Sequence, residues 1–168
     1  PKPSSAASDV YKRQILGLRK IHNGSITVAG KDLTKSNVRQ VLEAGVGYIP
    51  EDRKKDGLVG EFSIAENLML DGSFGKPFAK GVQIDFAKRD EIAAKLIQEF
   101  DIRTPSAGTL AKQLSGGNQQ KVVVAREMSR DLRVLIASQP TRGVDVGSIE
   151  FIHEQIVAAR DAGKTVVI

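Results

Sequence analysis

The octamer LSGGNQQK, Leu114 to Lys121, sets a serine and two glycines directly ahead of a helical stretch. Such a run makes a natural anion site. Glycines let the backbone approach closely, free N–H groups point outward, and the positive end of the helix dipole favours phosphate. Ser115 adds a hydroxyl donor and Gln119 an amide. Taken by themselves, Gly116 and Gly117 fit a flexible linker with a helix cap better than a ligand site. A second stretch, RVLIASQPTRGVD from Arg133 to Asp145, is a hydrophobic run that ends in a Pro-Thr turn. Its shape invites a pair of carboxylates just before the proline, yet Ser138 and Gln139 occupy those places.

The elements that must position these residues are legible from periodicity and punctuation. Val134 to Ala137 is all apolar, as in a strand at the middle of a sheet. Asn118 to Ser129 reads as the helix before it, Gly147 to Ala162 as the helix after it, and Thr165 to Ile168 as a further strand. Helix, strand, helix, strand is the pattern of a parallel α/β layer. Upstream, the alternating Ser-Ile-Thr-Val within Ile21 to Lys31 predicts a hairpin strand. Asn37 to Ala44 reads as a helix stopped by Gly45, and Val46 to Ile49 as a short strand. Pro50 to Asp56 is a polar loop. Ser63 with Glu66 forms a capping box, and Asp71 to Val82 is Gly/Pro-rich loop. Asp85 caps a helix to about Phe100, with Ile92, Leu96 and Phe100 on one face and Glu91 placed to pair with Lys95.

Composition bounds the classes of function. The 168 residues are 40% hydrophobic and 27% charged, ordinary globular values. No apolar stretch reaches membrane-spanning length. Cysteine is absent, which excludes disulfides and thiolate metal sites and fits a reducing cytoplasm. The net charge of +5 is dispersed among both signs rather than gathered into a patch, which argues against a nucleic-acid partner. Residues 1–14 are Ser/Ala/Pro-rich and give way abruptly to folded-domain sequence at Ile15. They are expected to be a disordered or non-native tail outside the fold. Both edges of the chain suggest a fragment.

Four segments, in order, resemble those of ABC-type ATPases. GSITVAGKDLT is similar to the strand and turn that follow the P-loop helix, and GVGYIPEDRKKDGL to the Q-loop segment of ABC halves in bacterial sugar and nucleoside importers. LSGGNQQK resembles the signature motif, and RVLIASQPTRGVD the Walker B strand and D-loop. The resemblance covers Ile15 to Ile168. It implies an α/β fold: a partial P-loop NTPase (ABC) domain with a parallel-sheet core and a helical subdomain at about 56–130.

In that family two ABC halves close head to tail over ATP and Mg²⁺. The resemblance therefore implies that Leu114, Ser115, Gly116, Gly117, Asn118 and Gln119 cap the γ-phosphate of ATP bound mostly by the partner half. Ser138 takes the place of the Walker B aspartate and Gln139 that of the glutamate that polarises the attacking water. A hydroxyl brings no charge to a metal shell, and an amide orients water but accepts a proton poorly. Asp145 matches the D-loop aspartate. Glu51 stands where many ABC proteins carry the Q-loop glutamine, and as an acid it is open to direct contact with Mg²⁺. No residue is assigned as a certain metal ligand.

A complete half also needs G-x-x-x-x-G-K-[ST] to wrap the phosphates, and the chain has none. Gly163-Lys164-Thr165 follows a helix and precedes a strand, the reverse of P-loop order. His22 and His153 read as structural or solvated. The expectation is a fragment of the ATP-binding subunit of an importer for simple sugars or nucleosides, its second, degenerate half. It would sit on the cytoplasmic face of the membrane with a permease and, indirectly, a periplasmic or lipoprotein substrate-binding protein. The alternatives are a non-catalytic regulatory or dimerisation ABC module and a non-transport ABC protein.

Overall fold

The computed structural model describes residues 5–168. Its centre is a parallel sheet in the order β3-β6-β7, formed by Val46–Ile49, Val134–Ala137 and Thr165–Val167. Val46 lies opposite Val134, and Val134 opposite Thr165. Strand β6 is all apolar because both of its faces are covered. Leu135 and Ala137 join one core cluster, and Ile136 joins another with Val46, Val41, Leu33, Val28 and Leu16. Alternate residues of one strand thus feed two hydrophobic layers, the arrangement a parallel sheet requires.

The larger core lies under α5 (Gly116–Met128) and α6 (Val146–Asp161), the helices on either side of β6 in sequence. Helices α3 (Ile64–Met69) and α4 (Phe86–Glu99) pack on α5 through Ile64, Leu68, Ala93 and Leu96. Helix α5 is buried nearly all round: in its apolar middle Val122, Val123, Val124 and Ala125 are all fully buried, as expected of a helix sandwiched between sheet and helices. Among the described residues no helix is long and apolar enough to cross a membrane.

The local predictions hold where the signal is strong. The hairpin forms from β1 (Thr27–Val28) and β2 (Lys31–Asp32). Asn37 caps α2 (Val38–Glu43), Ser63 and Glu66 close a capping box, and Asp85 caps α4. Four details differ. Within the expected loop at 71–82, β4 (Ala79–Lys80) pairs with β5 (Gln83–Ile84) in a second hairpin. Glu91 pairs with Lys88, one turn before it, rather than with Lys95. Helix α5 starts two residues earlier than its apolar pattern, because Ser115 rather than a later residue caps it. The excluded N-terminal tail forms helix α1 (Ser5–Ile15) from its fifth residue onward, running through the expected boundary at Ile15. Ala, Lys, Arg and Gln favour helix, a signal that the low-complexity appearance of the segment conceals. Residues 1–4 of that tail lie outside the described residues.

Candidate functional site

The start of α5 is assembled from three loops. Ser115 has extended backbone geometry, and its Oγ accepts hydrogen bonds from the Asn118 amide N–H at 3.4 Å and from Asn118 Nδ2 at 3.0 Å. Asn118 Oδ1 in turn accepts from the Arg103 N–H at 2.8 Å. The first-turn N–H groups of Gly116 and Gly117 have no acceptor inside the helix, as at any α-helix start.

Close approach explains why both positions are glycine. A Cβ on Gly117 would overlap Ser148 Oγ and Asp145 Oδ2, and one on Gly116 would lie 2.6 Å from Arg53 Nη2 and 3.0 Å from the Gly143 carbonyl. The glycine pair is therefore a seat for the loop that follows β6, not a flexible linker. Leu114 is buried beneath it.

Asp145 caps α6. Its Oδ1 accepts the Ser148 N–H at 3.0 Å and its Oδ2 the Ser148 hydroxyl at 2.8 Å. Those two bonds, the backbone one first, hold the Asp145 carboxyl below the usual aspartate range. It is an anionic cap at pH 7, set beside Gly117.

Gln119 departs from its expected orientation. It is buried, and its Nε2 donates to the Ala111 carbonyl at 3.1 Å, so its amide points inward rather than toward a ligand at the helix start. The spacing of the octamer explains this: Gln119 lies on the face of α5 that packs against the Ala111–Gln113 turn.

The end of β6 carries no charge. Ser138 is 6% exposed, and its N–H donates to the Ile49 carbonyl at 2.8 Å, extending the ladder by one residue. Gln139 is exposed with φ of +44°, in the left-handed region, and its carbonyl accepts the Arg142 N–H at 3.0 Å to close the Pro-Thr turn. Glu51, just past β3, pairs with the Arg142 guanidinium. Its carboxylate is thus engaged by an arginine on the loop after β6. Among the described residues no group of three or more His, Cys, Asp or Glu side chains gathers as a metal cluster would. The strand end offers a divalent cation only a neutral hydroxyl and a neutral amide, a donor set poor for Mg²⁺. The start of α5 does fit the phosphate end of a nucleotide.

The opposite end of α5 is a buried ionic knot. Glu127, 2% exposed, accepts the Tyr48 N–H at 3.1 Å and pairs with Arg130 at 3.0 Å and Arg126 at 3.2 Å. Arg126 also reaches Asp71 at 2.9 Å and the Gly57 carbonyl at 2.9 Å, while Arg130 donates to the Leu42 carbonyl at 2.9 Å. Burial, with Asp71 nearby adding to it, raises the Glu127 carboxyl to about 7 against the pull of the two guanidinium groups. This knot fixes α5 to β3 and to the segment beyond α3. Arg53, Arg142, Ser148 and the knot were not singled out from the sequence. The available signal was the cation-rich PEDRKK run after a strand, which reads as solvated loop until its partners are seen.

A helix whose first turn leaves N–H groups free, feeding the central strand of a parallel sheet and seated on the capped helix that follows, is an α/β arrangement of the ATP-binding cassette type. The sequence model of the ABC transporter family matches residues 12–142, and the chain belongs to that family. It is 46% identical over 156 residues to a nucleoside import ATP-binding protein, NupA, of Lactococcus lactis subsp. cremoris, covering 93% of this chain and 31% of that protein. It is 46% identical over 154 residues to a guanosine import ATP-binding protein, NupO, of Bacillus subtilis, covering 92% of this chain and 30% of that protein. The chain thus spans about three-tenths of the length of these curated relatives. In fold it is similar to a dimeric ATP-binding cassette captured in a post-hydrolysis state with ADP and Pi. The TM-score is 0.77 at 22% identity, over 98% of this chain and 70% of that one.

Proposed function

We propose that this chain is the signature-bearing part of an ATP-binding subunit of an ABC importer, and that its α5 start caps ATP held mostly by a partner ABC half. The observation that carries the reading is the seat of Gly116 and Gly117 on the loop after β6. It fixes an open, anion-favouring helix start beside a β6 end that has no carboxylate. Ser115 would donate its hydroxyl to the γ-phosphate, with the N–H groups of Gly117 and its neighbours converging on the same oxygens. Chemistry of this type depends on positioning and electrostatics, so a cap supplied by one half contributes to turnover in a site built on the other. Mg²⁺ bound with ATP would neutralise phosphate charge. Ser138 could at most hydrogen-bond its water shell, and Gln139 would orient a water without accepting its proton. The site built on this β6 end therefore turns over ATP slowly, since general-base help is typically worth about 10²–10⁴-fold.

Nucleosides are the favoured cargo over simple sugars, on the strength of the two import proteins named above. The working complex would include a second ABC half and transmembrane permease subunits, placing this chain at the cytoplasmic face of the membrane. A substrate-binding protein would deliver cargo from the other side.

The test uses the full-length subunit reconstituted with its permease. Ser115→Arg, which puts a long side chain where the phosphate would sit, should lower ATP turnover by about 10²-fold or more. Turnover that survives Ser115→Arg overturns the reading. Ser138→Asp with Gln139→Glu should raise turnover at the second site, and uptake of labelled guanosine against ribose separates the cargo classes.

A further inference from the structure

We infer that Arg53 is a positioning residue. Its guanidinium pins the loop after β6 against the start of α5 and so sets where the cap meets ATP. This rests on the capping role proposed above.

Arg53 belongs to the PEDRKKDG segment that leaves β3, a run that the capping role by itself leaves without a task. The segment is fixed at both ends. Asp52 Oδ1 accepts the N–H groups of Lys54 and Lys55 at 3.0 and 3.2 Å, and the Gly57 carbonyl is held by Arg126. From this anchored turn the Arg53 side chain reaches two consecutive carbonyls. Nη1 donates to Arg142 O at 2.8 Å and Nη2 to Gly143 O at 3.0 Å. A planar fork presents two donors in fixed geometry to two neighbouring carbonyls, whereas an ammonium is a point charge on a flexible stem that holds them less rigidly.

The same Nη2 lies 2.6 Å from where a Cβ on Gly116 would be, with the Gly143 carbonyl 3.0 Å from that point. The first residue of α5 therefore rests directly on the guanidinium and on the carbonyl that the guanidinium holds. Three segments meet on one group: the run after β3, the loop after β6 and the start of α5. Glu51, two residues before Arg53, grips the Arg142 side chain from the same run. Arg53 Nε is buried without an acceptor, a cost that the fork contacts must offset.

The loop that Arg53 holds leads within two residues to Asp145, whose carboxylate and whose partner Ser148 form the seat of Gly117. Releasing the Arg142 and Gly143 carbonyls thus frees the seats of both signature glycines. In a capped site a displacement of about 1 Å costs on the order of 10²-fold in rate. Affinity for ATP, held mostly by the partner half, is largely spared.

The experiment measures kcat and KM for ATP in the full-length subunit with its permease, alongside thermal melting. Arg53→Ala should lower kcat about 10- to 100-fold with KM within about threefold of the parent. Arg53→Lys should recover little of that loss, because it restores charge without the fork. Gly116→Ala should also lower kcat, and far less so in the Arg53→Ala background, where the guanidinium it would strike is gone. A kcat that is unchanged in Arg53→Ala, a full rescue by lysine, or effects of Arg53→Ala and Gly116→Ala that simply multiply would each overturn the proposal. Should Arg53→Ala melt early, Arg53→Lys and the cycle with Gly116→Ala still decide it. Ser115→Arg serves as the control. If it abolishes turnover while Arg53→Ala does not, the capping role stands and the Arg53 role falls. If neither matters, the capping role itself has failed.

Discussion

The two ends of α5 are built on opposite physical terms. At its C-terminal end, Glu127, Arg126, Arg130 and Asp71 bring charges into the interior and pair them with one another and with backbone groups. At its N-terminal end, Ser115 is exposed and Asn118 half-buried, and the glycine pair, Gly117 buried and Gly116 half-buried, is seated on the loop after β6. The first end spends its polar groups inside the molecule to lock the helix to the sheet. The second leaves first-turn donors without an acceptor inside the helix, free for water or for the phosphate of the proposed cap. On the proposed reading one helix serves as anchor and as cap, and the division follows from which end has its hydrogen bonds completed internally.

That comparison can be broken in three ways. The largest effect belongs to the anchor. Glu127→Ala leaves two guanidinium groups short of a buried partner and should destabilise the chain by about 3–5 kcal/mol, read by urea unfolding. A loss below about 1 kcal/mol would mean that the knot is not what holds α5.

The second effect is a pH dependence with an unusual sign. The folded-state Glu127 carboxyl, at about 7, lies above its ordinary 4.5, so the folded chain binds the proton more tightly than the unfolded one. The associated stability is fully present below pH 4.5 and is lost as pH rises through about 7, after which the slope vanishes. Glu127→Gln should flatten that window. The carboxyls of Asp32, Glu66, Asp101 and Asp145 are held low by hydrogen bonds, from Thr34, Ser63, Lys121 and Ser148 respectively. Their contribution is present above their unfolded pKa values and is lost only in acid, as pH falls through their folded ones. Unfolding curves between about pH 5 and 7.5, compared with those of Glu127→Gln, therefore isolate the Glu127 contribution.

The smallest effect on stability lies at the cap. Ser115→Ala removes the N-cap acceptor and should cost only about 1 kcal/mol. In the full-length subunit it should nevertheless lower ATP turnover out of proportion to that loss. A cap whose removal changes stability and turnover equally would make this end of α5 a second anchor.

How much of this was legible in the sequence depends on whether the signal was local. The capping residues Ser63 and Asp85 and the all-apolar β6 were readable because each acts within a few residues of its own position. So was the octamer that defines the cap, and with it the family. The inward turn of Gln119 was not, because its partner, Ala111, is chosen by packing of α5 on a turn eight residues earlier. The 79–84 hairpin was hidden because glycine and proline density reads as loop whether or not two-residue strands pair within it. Arg53 and Glu51 were hidden for a stronger reason. Their partners, Arg142 and Gly143, lie about ninety residues away across the sheet. Nothing in PEDRKK distinguishes a solvated cation from one that forks two carbonyls.

The sequence by itself determined the parallel α/β layer, the glycine-led start of α5 and the uncharged Ser138-Gln139 pair at the end of β6. Each is a matter of residue type at fixed spacing, and local backbone physics turns that directly into structure. Only the tertiary structure decided that the glycine pair is a rigid seat, that Glu51 is engaged by Arg142, and that α5 is tied down by buried charge. Those outcomes depend on side chains that meet only once β3 and β6 lie side by side.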